Sequence, residues 1–268
     1  MLVFPNAKIN LGLHITEKRK DGYHNLETCF YPVMWQDALE IIESEQFVFT
    51  SSGLAISGAE ENNLCVKAYN LLKTKFYLPP VHIHLHKIIP MGAGLGGGSS
   101  DAAFLLSTLV KKFDLNIETI ELQSLASSLG ADCAFFLENK PLLAFEKGDV
   151  FKPISLSLKD YKICIVHPSI HVGTAEAYSG VKPKQPESNL EDILNQDITN
   201  WKDSLVNDFE ASIFIQHPEL LEIKLEFYKK GALYASMSGS GSAIFAIFKN
   251  EIEINFPTHF TVYWGVLP

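Results

Sequence analysis

Five of the seven residues from Gly92 to Gly98 are glycine, in the run Pro90-Met-Gly-Ala-Gly-Leu-Gly-Gly-Gly-Ser-Ser100. Val81-His-Ile-His-Leu-His86, just before it, alternates apolar and polar residues as a strand does. Asp101 to Phe113, just after it, is apolar and of helical length. A strand, a bare backbone and a helix start in that order form a cradle for an anion. Backbone without side chains comes close to a ligand and turns N–H groups on it. The helix start adds partial positive charge at the same place. The phosphates of a nucleotide are the natural occupant. So many glycines in one short stretch carry a large entropy penalty, which argues against a merely structural turn.

Known phosphate loops narrow the reading. GxxxxGK[ST] is absent, because Ser99 follows Gly98 where that motif needs lysine. GxGxxG does occur, at Gly92, Gly94 and Gly97. A dinucleotide fold would then place an acidic residue about 20 positions on, at the end of a second strand. Phe113 to Leu122 reads as helix instead.

The bulk numbers exclude several classes. The 268 residues suffice for one large domain or two medium ones, and 47% apolar content can fill a core. Net charge is −9, from 22 basic and 31 acidic side chains, which argues against a surface that coats nucleic acid. One small basic pocket for a small anion remains compatible with it. Cys29, Cys65, Cys133 and Cys164 lie far apart, with no CxxC pair and no disulfide framework. The start MLVFPNAKIN has no apolar signal core, and no apolar run approaches membrane-spanning length. The expectation is a soluble cytoplasmic protein with no membrane partner.

Residues 7–15 alternate, with Ala7, Ile9, Leu11, Leu13 and Ile15 on one face and Lys8, Asn10, Gly12 and His14 on the other. This predicts a half-buried strand. Further strands are expected near 28–35, 39–43, 46–50, 142–146 and 161–166. Asn62 and Asn63 can cap a helix through Val66, Tyr69, Leu72 and Phe76. A helix over 117–129 would face the core with Ile120, Leu122, Leu125 and Leu129, and Gly130 would end it. Residues 182–197 open as a polar surface loop. Helices near 203–214 and 218–230 follow, then strands at 243–248 and 260–267. Strands first and helices later favour α+β over a doubly wound sheet.

Several residues carry chemistry only in company. Alone, Lys8 is a solvated lysine and Asp132 a helix N-cap. Ser236-Met-Ser-Gly-Ser-Gly-Ser242 is a hairpin connection or a second phosphate-facing nest. His82, His84 and His86 share a strand face, but alternation alone produces that spacing, and no carboxylate or cysteine lies near them in sequence.

Together the pieces resemble the GHMP kinases, small-molecule kinases that use ATP and Mg²⁺. Pro90–Ser100 matches their central signature, and Ser238-Gly-Ser-Gly241 looks like their third motif. Pro5-Asn-Ala-Lys-Ile-Asn-Leu11, Arg19-Lys-Asp-Gly-Tyr-His-Asn-Leu26 and Leu129-Gly-Ala-Asp-Cys133 resemble a branch acting on a cytidine diphosphate alcohol. The tail after Phe248 and Cys-Ala-Phe after Asp132 depart from the pattern. The resemblance implies an α+β fold of two lobes, ribosomal-protein-S5-like over 1–152 and ferredoxin-like over 153–268. The last strand is a candidate to return to the first lobe, and ATP and substrate would meet in the cleft between the two. It implies Asp132 as general base and Lys8 as the cation that keeps it ionised and stabilises developing charge. Pro90, Met91, Gly92, Ala93, Gly94, Leu95, Gly96, Gly97, Gly98, Ser99 and Ser100 would hold ATP. Mg²⁺ would enter with the nucleotide, near the Ser100 hydroxyl, with no dedicated protein metal site. Tyr23, His24 and Tyr178 would hold the cytosine, and Asn10 a polar group of the substrate. Asn62, Asn63 and Lys87 are candidates for the adenosine side. The rivals are another GHMP kinase, acting on homoserine, mevalonate or a sugar, and a non-catalytic nucleotide-binding regulator.

Overall fold

Alternation along the strand that enters the glycine run builds a one-sided sheet. Val81, Ile83 and Leu85 are buried, while His82 and His84 are half-buried and His86 exposed. The computed structural model describes residues 1–268. Its strands are β1 (Leu2–Val3), β2 (Asn6–Lys18), β3 (His24–Gln36), β4 (Ala38–Glu43), β5 (Val48–Gly53), β6 (Val81–Lys87), β7 (Leu142–Glu146), β8 (Val150–Pro153), β9 (Lys162–His167), β10 (Tyr234–Met237), β11 (Ile244–Phe248) and β12 (Thr261–Val266). Its helices are α1 (Leu64–Lys73), α2 (Gly97–Lys112), α3 (Thr119–Leu129), α4 (Cys133–Glu138), α5 (Thr174–Ser179), α6 (Leu190–Leu194), α7 (Glu210–Gln216) and α8 (Pro218–Lys229). Two compact units form from interleaved stretches. The first holds Met1–Ala7, Trp35–Met91 and Gly96–Asn139, the second Lys8–Met34, Gly92–Leu95 and Lys140–Pro268.

In the first unit the sheet order is β1-β4-β6-β5. β5 and β6 are parallel, which requires a long crossover, and residues 54–80 with α1 supply it. Asn63 caps α1 by accepting from the Cys65 N–H at 2.8 Å. Val66, Tyr69 and Leu72 then point into the core. On the open face of the sheet the histidines form a ladder with two hydroxyls. Thr50 Oγ1 lies 2.8 Å from both His82 Nε2 and His84 Nδ1. Ser52 Oγ lies 2.9 Å from both His84 Nε2 and His86 Nδ1. The periodic histidines thus brace two parallel strands.

One expectation for α3 needs correction. Ile120 is 81% exposed, while Leu125 and Ala126 are buried. At 3.6 residues per turn, positions 120 and 125 point in different directions, and the inward stripe runs through 122, 125, 126 and 129. Gly130 ends the helix as expected, in extended backbone with φ 177°. Glycine suits it for space, since a Cβ there would sit 3.3 Å from Cys133 Sγ.

The second unit contains two antiparallel sheets, β2-β3-β7-β8 and β10-β11-β9-β12. Its core gathers Leu13, Ile15, Val166, Phe209, Phe227, Met237, Ile244 and Phe248. The last strand, β12, pairs with β9. β2 is buried on both faces, not one. Its polar side is covered by the Phe30 ring over Lys8, by Leu190 and Leu205 over Gly12, and by Asp208 beside His14. α7 begins at Glu210, several residues later than its apolar spacing suggests. The buried Asn207 side chain donates to the Met237 and Gly239 carbonyls, at 2.8 Å each, and holds the preceding chain as a loop. All four cysteines are free and buried, and no helix is long and apolar enough to cross a membrane.

Candidate active site

Within the second unit, Gly92–Leu95 is latched by its carbonyls. Those of Ala93, Gly94 and Leu95 accept from Ala243 N at 3.2 Å, Ser238 Oγ at 2.9 Å and Lys8 N at 2.9 Å. None of the N–H groups from Gly92 to Leu95 donates to a backbone acceptor. Three successive carbonyls therefore turn into the protein, and the donors stay available to an anion, as in a backbone nest. Gly94 has φ +77°, and a Cβ on it would fall 1.8 Å from the Ser238 carbonyl oxygen, so only glycine fits. This contact joins the first glycine segment to Ser238–Gly241. Glu210 steadies the second segment from below, accepting from Met237 N at 2.8 Å and Ser236 Oγ at 2.9 Å.

In the first unit the same run opens α2 at Gly97, whose added Cβ would meet Lys87 Nζ at 2.9 Å. Lys87 is only 1% exposed and lies between two buried carboxylates. It donates to Asp37 Oδ2 and, at 2.9 Å, to Asp101 Oδ2. Asp37 Oδ1 also takes the Ile88 and Ile89 N–H groups, at 2.5 and 2.9 Å. Burial opposes the charge on Lys87, but Asp101 and Asp37 outweigh it and raise its pKa. Burial pushes Asp101 up to about 7, against the pull of Lys87 and with a further push from Asp37. Lys87 was an adenosine candidate by sequence; the structure engages its ammonium with carboxylates.

Beside it lies a cavity of about 320 Å³, lined by Asn62, Asn63, Leu64, Lys87, Met91 and Gly98 among others. That volume suits a nucleoside-sized ligand. The Ser100 hydroxyl is fully buried with no hydrogen-bond partner. It fits a single oxygen donor toward Mg²⁺. No three His, Cys, Asp or Glu side chains are grouped to hold a metal.

Lys8 is not a solvated lysine. It is 3% exposed, donates to Asn10 Oδ1 at 2.6 Å and stands 4.8 Å from the Phe30 ring centroid. Asn10 Nδ2 in turn donates to Thr28 Oγ1 at 3.0 Å, and Thr28 donates to the Gly12 carbonyl at 2.5 Å. Asn10 is thereby fixed with its oxygen toward the ammonium. Asp132 immediately precedes α4, yet its carboxylate does not cap that helix.

The cytidine candidates separate into two groups. Tyr23 sits on a turn closed by the Arg19 N–H to the Tyr23 carbonyl at 2.8 Å. Its ring is 63% exposed and lies 5.5 Å from Lys147 Nζ. His24 instead stacks on Tyr178, with centroids 4.8 Å apart and planes at 26°. Tyr178 meets Phe209 edge-on at 4.9 Å. Burial, then the Lys18 charge, holds the His24 pKa below its usual value, so the ring is neutral near pH 7. Sequence reasoning did not find Asp37, Thr28, Asn207 or Glu210, since isolated polar residues bear no pattern.

Comparison with known proteins places the chain in a family. The model of the GHMP kinase N-terminal domain matches residues 63–140, and that of the C-terminal domain matches 189–255. The chain belongs to the GHMP kinase family, and it is an ATP-using small-molecule kinase of α+β fold. A Bacteroides fragilis protein named 4-diphosphocytidyl-2-C-methyl-D-erythritol kinase is 54% identical over 258 residues, covering 95% of this chain and 94% of its own. A Cytophaga hutchinsonii protein of the same name is 54% identical over 254 residues, covering 94% of each. A crystal structure of 4-(cytidine 5'-diphospho)-2C-methyl-D-erythritol kinase superposes with TM-score 0.80 at 34% identity, covering 92% of this chain and 90% of that one. A homoserine kinase from Cytophaga hutchinsonii shares the fold, with TM-score 0.66 at 16% identity.

Proposed function

We propose that this enzyme transfers the γ-phosphoryl group of ATP to the 2-hydroxyl of 4-diphosphocytidyl-2-C-methyl-D-erythritol, in isoprenoid precursor biosynthesis in the cytoplasm. The carrying observation is identity of 54% over nearly full length with kinases of that name. It is reinforced by Lys8, a buried ammonium oriented by Asn10. In this reading residues 1–152 bind ATP and carry the base, and residues 153–268 form the second functional lobe.

Asp132 takes the proton of the 2-hydroxyl as that oxygen attacks the γ-phosphorus and ADP departs. Lys8 and the N–H groups of the glycine segment stabilise charge on the transferring group. The buried, unpartnered Ser100 hydroxyl would offer one oxygen to Mg²⁺, which when bound would supply neutralisation of phosphate charge. Tyr23, His24 and Tyr178 grip the cytosine, and Asn10 meets a polar group of the substrate. A phosphate-transfer assay of the cytidyl alcohol against mevalonate and homoserine tests the substrate. Absence of turnover with the first would overturn it. Asp132→Asn should lower kcat by about 10²–10⁴-fold while ATP still binds; unchanged turnover would remove Asp132 as base.

A further inference from the structure

We propose that His171 binds a phosphoryl oxygen of a ligand resting on Gly92–Leu95. The shared chemistry is a phosphoryl oxygen beyond the first phosphate, and it has two sources in this reaction: the triphosphate of ATP and the diphosphate of the cytidyl substrate. The inference rests on the kinase reading and adds a side chain to it.

Four observations converge, all within the second unit. The ring edge faces the first glycine of the segment. A Cβ on Gly92 would lie 3.6 Å from both Nδ1 and Cε1 of His171, an ordinary contact distance. Gly92 and His171 are both exposed, so a ligand can reach the two together. The backbone that presents the ring is anchored on either side. Ser242 Oγ donates to the Ile170 carbonyl, Val172 is buried, and Gly173 N donates to Glu176 Oε2 at 3.2 Å. The same chain that anchors Ile170 also holds the glycine segment, since Ala243 N and Ser238 Oγ bind its carbonyls.

The consequence is geometric. The N–H groups of Gly92–Leu95 have no backbone acceptor, while the Ala93, Gly94 and Leu95 carbonyls are held in the protein. An imidazole beside Gly92 extends that row of donors by one side chain. It does so from a fixed backbone, so little conformational freedom is lost when the bond forms. A hydrogen bond to a charged oxygen is the strong kind. No periodicity or motif marks His171 in the sequence.

Calorimetry with ATP, AMP and CDP on the intact enzyme tests this without needing turnover. His171→Ala should weaken ATP or CDP by about tenfold or more and leave AMP within about twofold. Loss confined to ATP assigns the bond to the triphosphate, and loss confined to CDP assigns it to the substrate diphosphate. His171→Gln, which keeps an N–H donor, should restore part of the affinity. Wild-type affinity for both ATP and CDP in His171→Ala would overturn the proposal. So would equal weakening of all three ligands with a lowered melting temperature, which marks a structural role. Failure of the wild type to phosphorylate the cytidyl alcohol would instead count against the substrate assignment alone.

Discussion

Replacing Gly94 by alanine should unlatch the two glycine-rich segments of the second unit. The backbone there has φ +77°, which a residue with a Cβ adopts at about 1–2 kcal/mol. The new methyl would also fall 1.8 Å from the Ser238 carbonyl oxygen and 2.7 Å from its carbon, where ordinary contact begins at 3.4 Å. Both neighbours are backbone, so no side chain can swing away. Overpacking of this kind typically costs about 1–3 kcal/mol. The separation it forces also breaks the 2.9 Å bond from Ser238 Oγ to the Gly94 carbonyl, worth about 0.5–1.5 kcal/mol. The expected loss of stability is about 2.5–6.5 kcal/mol in all. Gly231→Ala is the matched control. Its φ is +88° but nothing lies within 4 Å of an added Cβ, so it carries only the conformational penalty. Urea melts of both variants, with KM for ATP, separate the two contributions. Equal destabilisation of the two variants, with ATP KM unchanged in Gly94→Ala, would refute the view that this close approach shapes the phosphate segment.

Three further outcomes follow from the site. Lys87→Met leaves two buried carboxylates without their cation and should destabilise by about 3–5 kcal/mol in a denaturant titration; a smaller loss than in an exposed Lys→Met control would show the carboxylates are not stranded. Asp101 is pushed up to about 7 in the folded protein from 3.8, so the native state holds a proton that the unfolded chain releases between those values. Its contribution to stability is fully present below pH ~4 and is lost as pH rises through about 7, with a slope of up to about 1.4 kcal/mol per unit that Asp101→Asn should abolish in pH-dependent melts. Tyr23→Ala and Tyr178→Ala should each raise KM for the cytidyl substrate, by about 1–3 kcal/mol of lost stacking, far more than KM for ATP. Equal effects on both substrates would contradict a cytosine contact.

Much of this protein is legible in local pattern. The glycine run, the alternating β6 and β2, the Asn63 cap and the positions of most strands follow from rules that act within a few residues. The family motifs single out Lys8, Asp132 and the glycine run as the proposed site, because a motif is itself a local record of a three-dimensional need. Burial is different. Lys8 reads as a surface lysine until Phe30 and Asn10 are folded over it, and Ile120 reads as core until the helix is rotated by its neighbours. The Asp37–Lys87–Asp101 cluster joins residues 14 and 50 positions apart, and no spacing rule links them. Gly94 is demanded by an oxygen 144 residues away in sequence. The sequence determined the chemistry available to the proposed reaction: a bare glycine backbone, an ammonium and a carboxylate. Only the tertiary structure decided which charges lie in low dielectric, which carbonyls are latched and which histidine faces the cradle. Those depend on long-range packing, which sets distance and solvent exposure together.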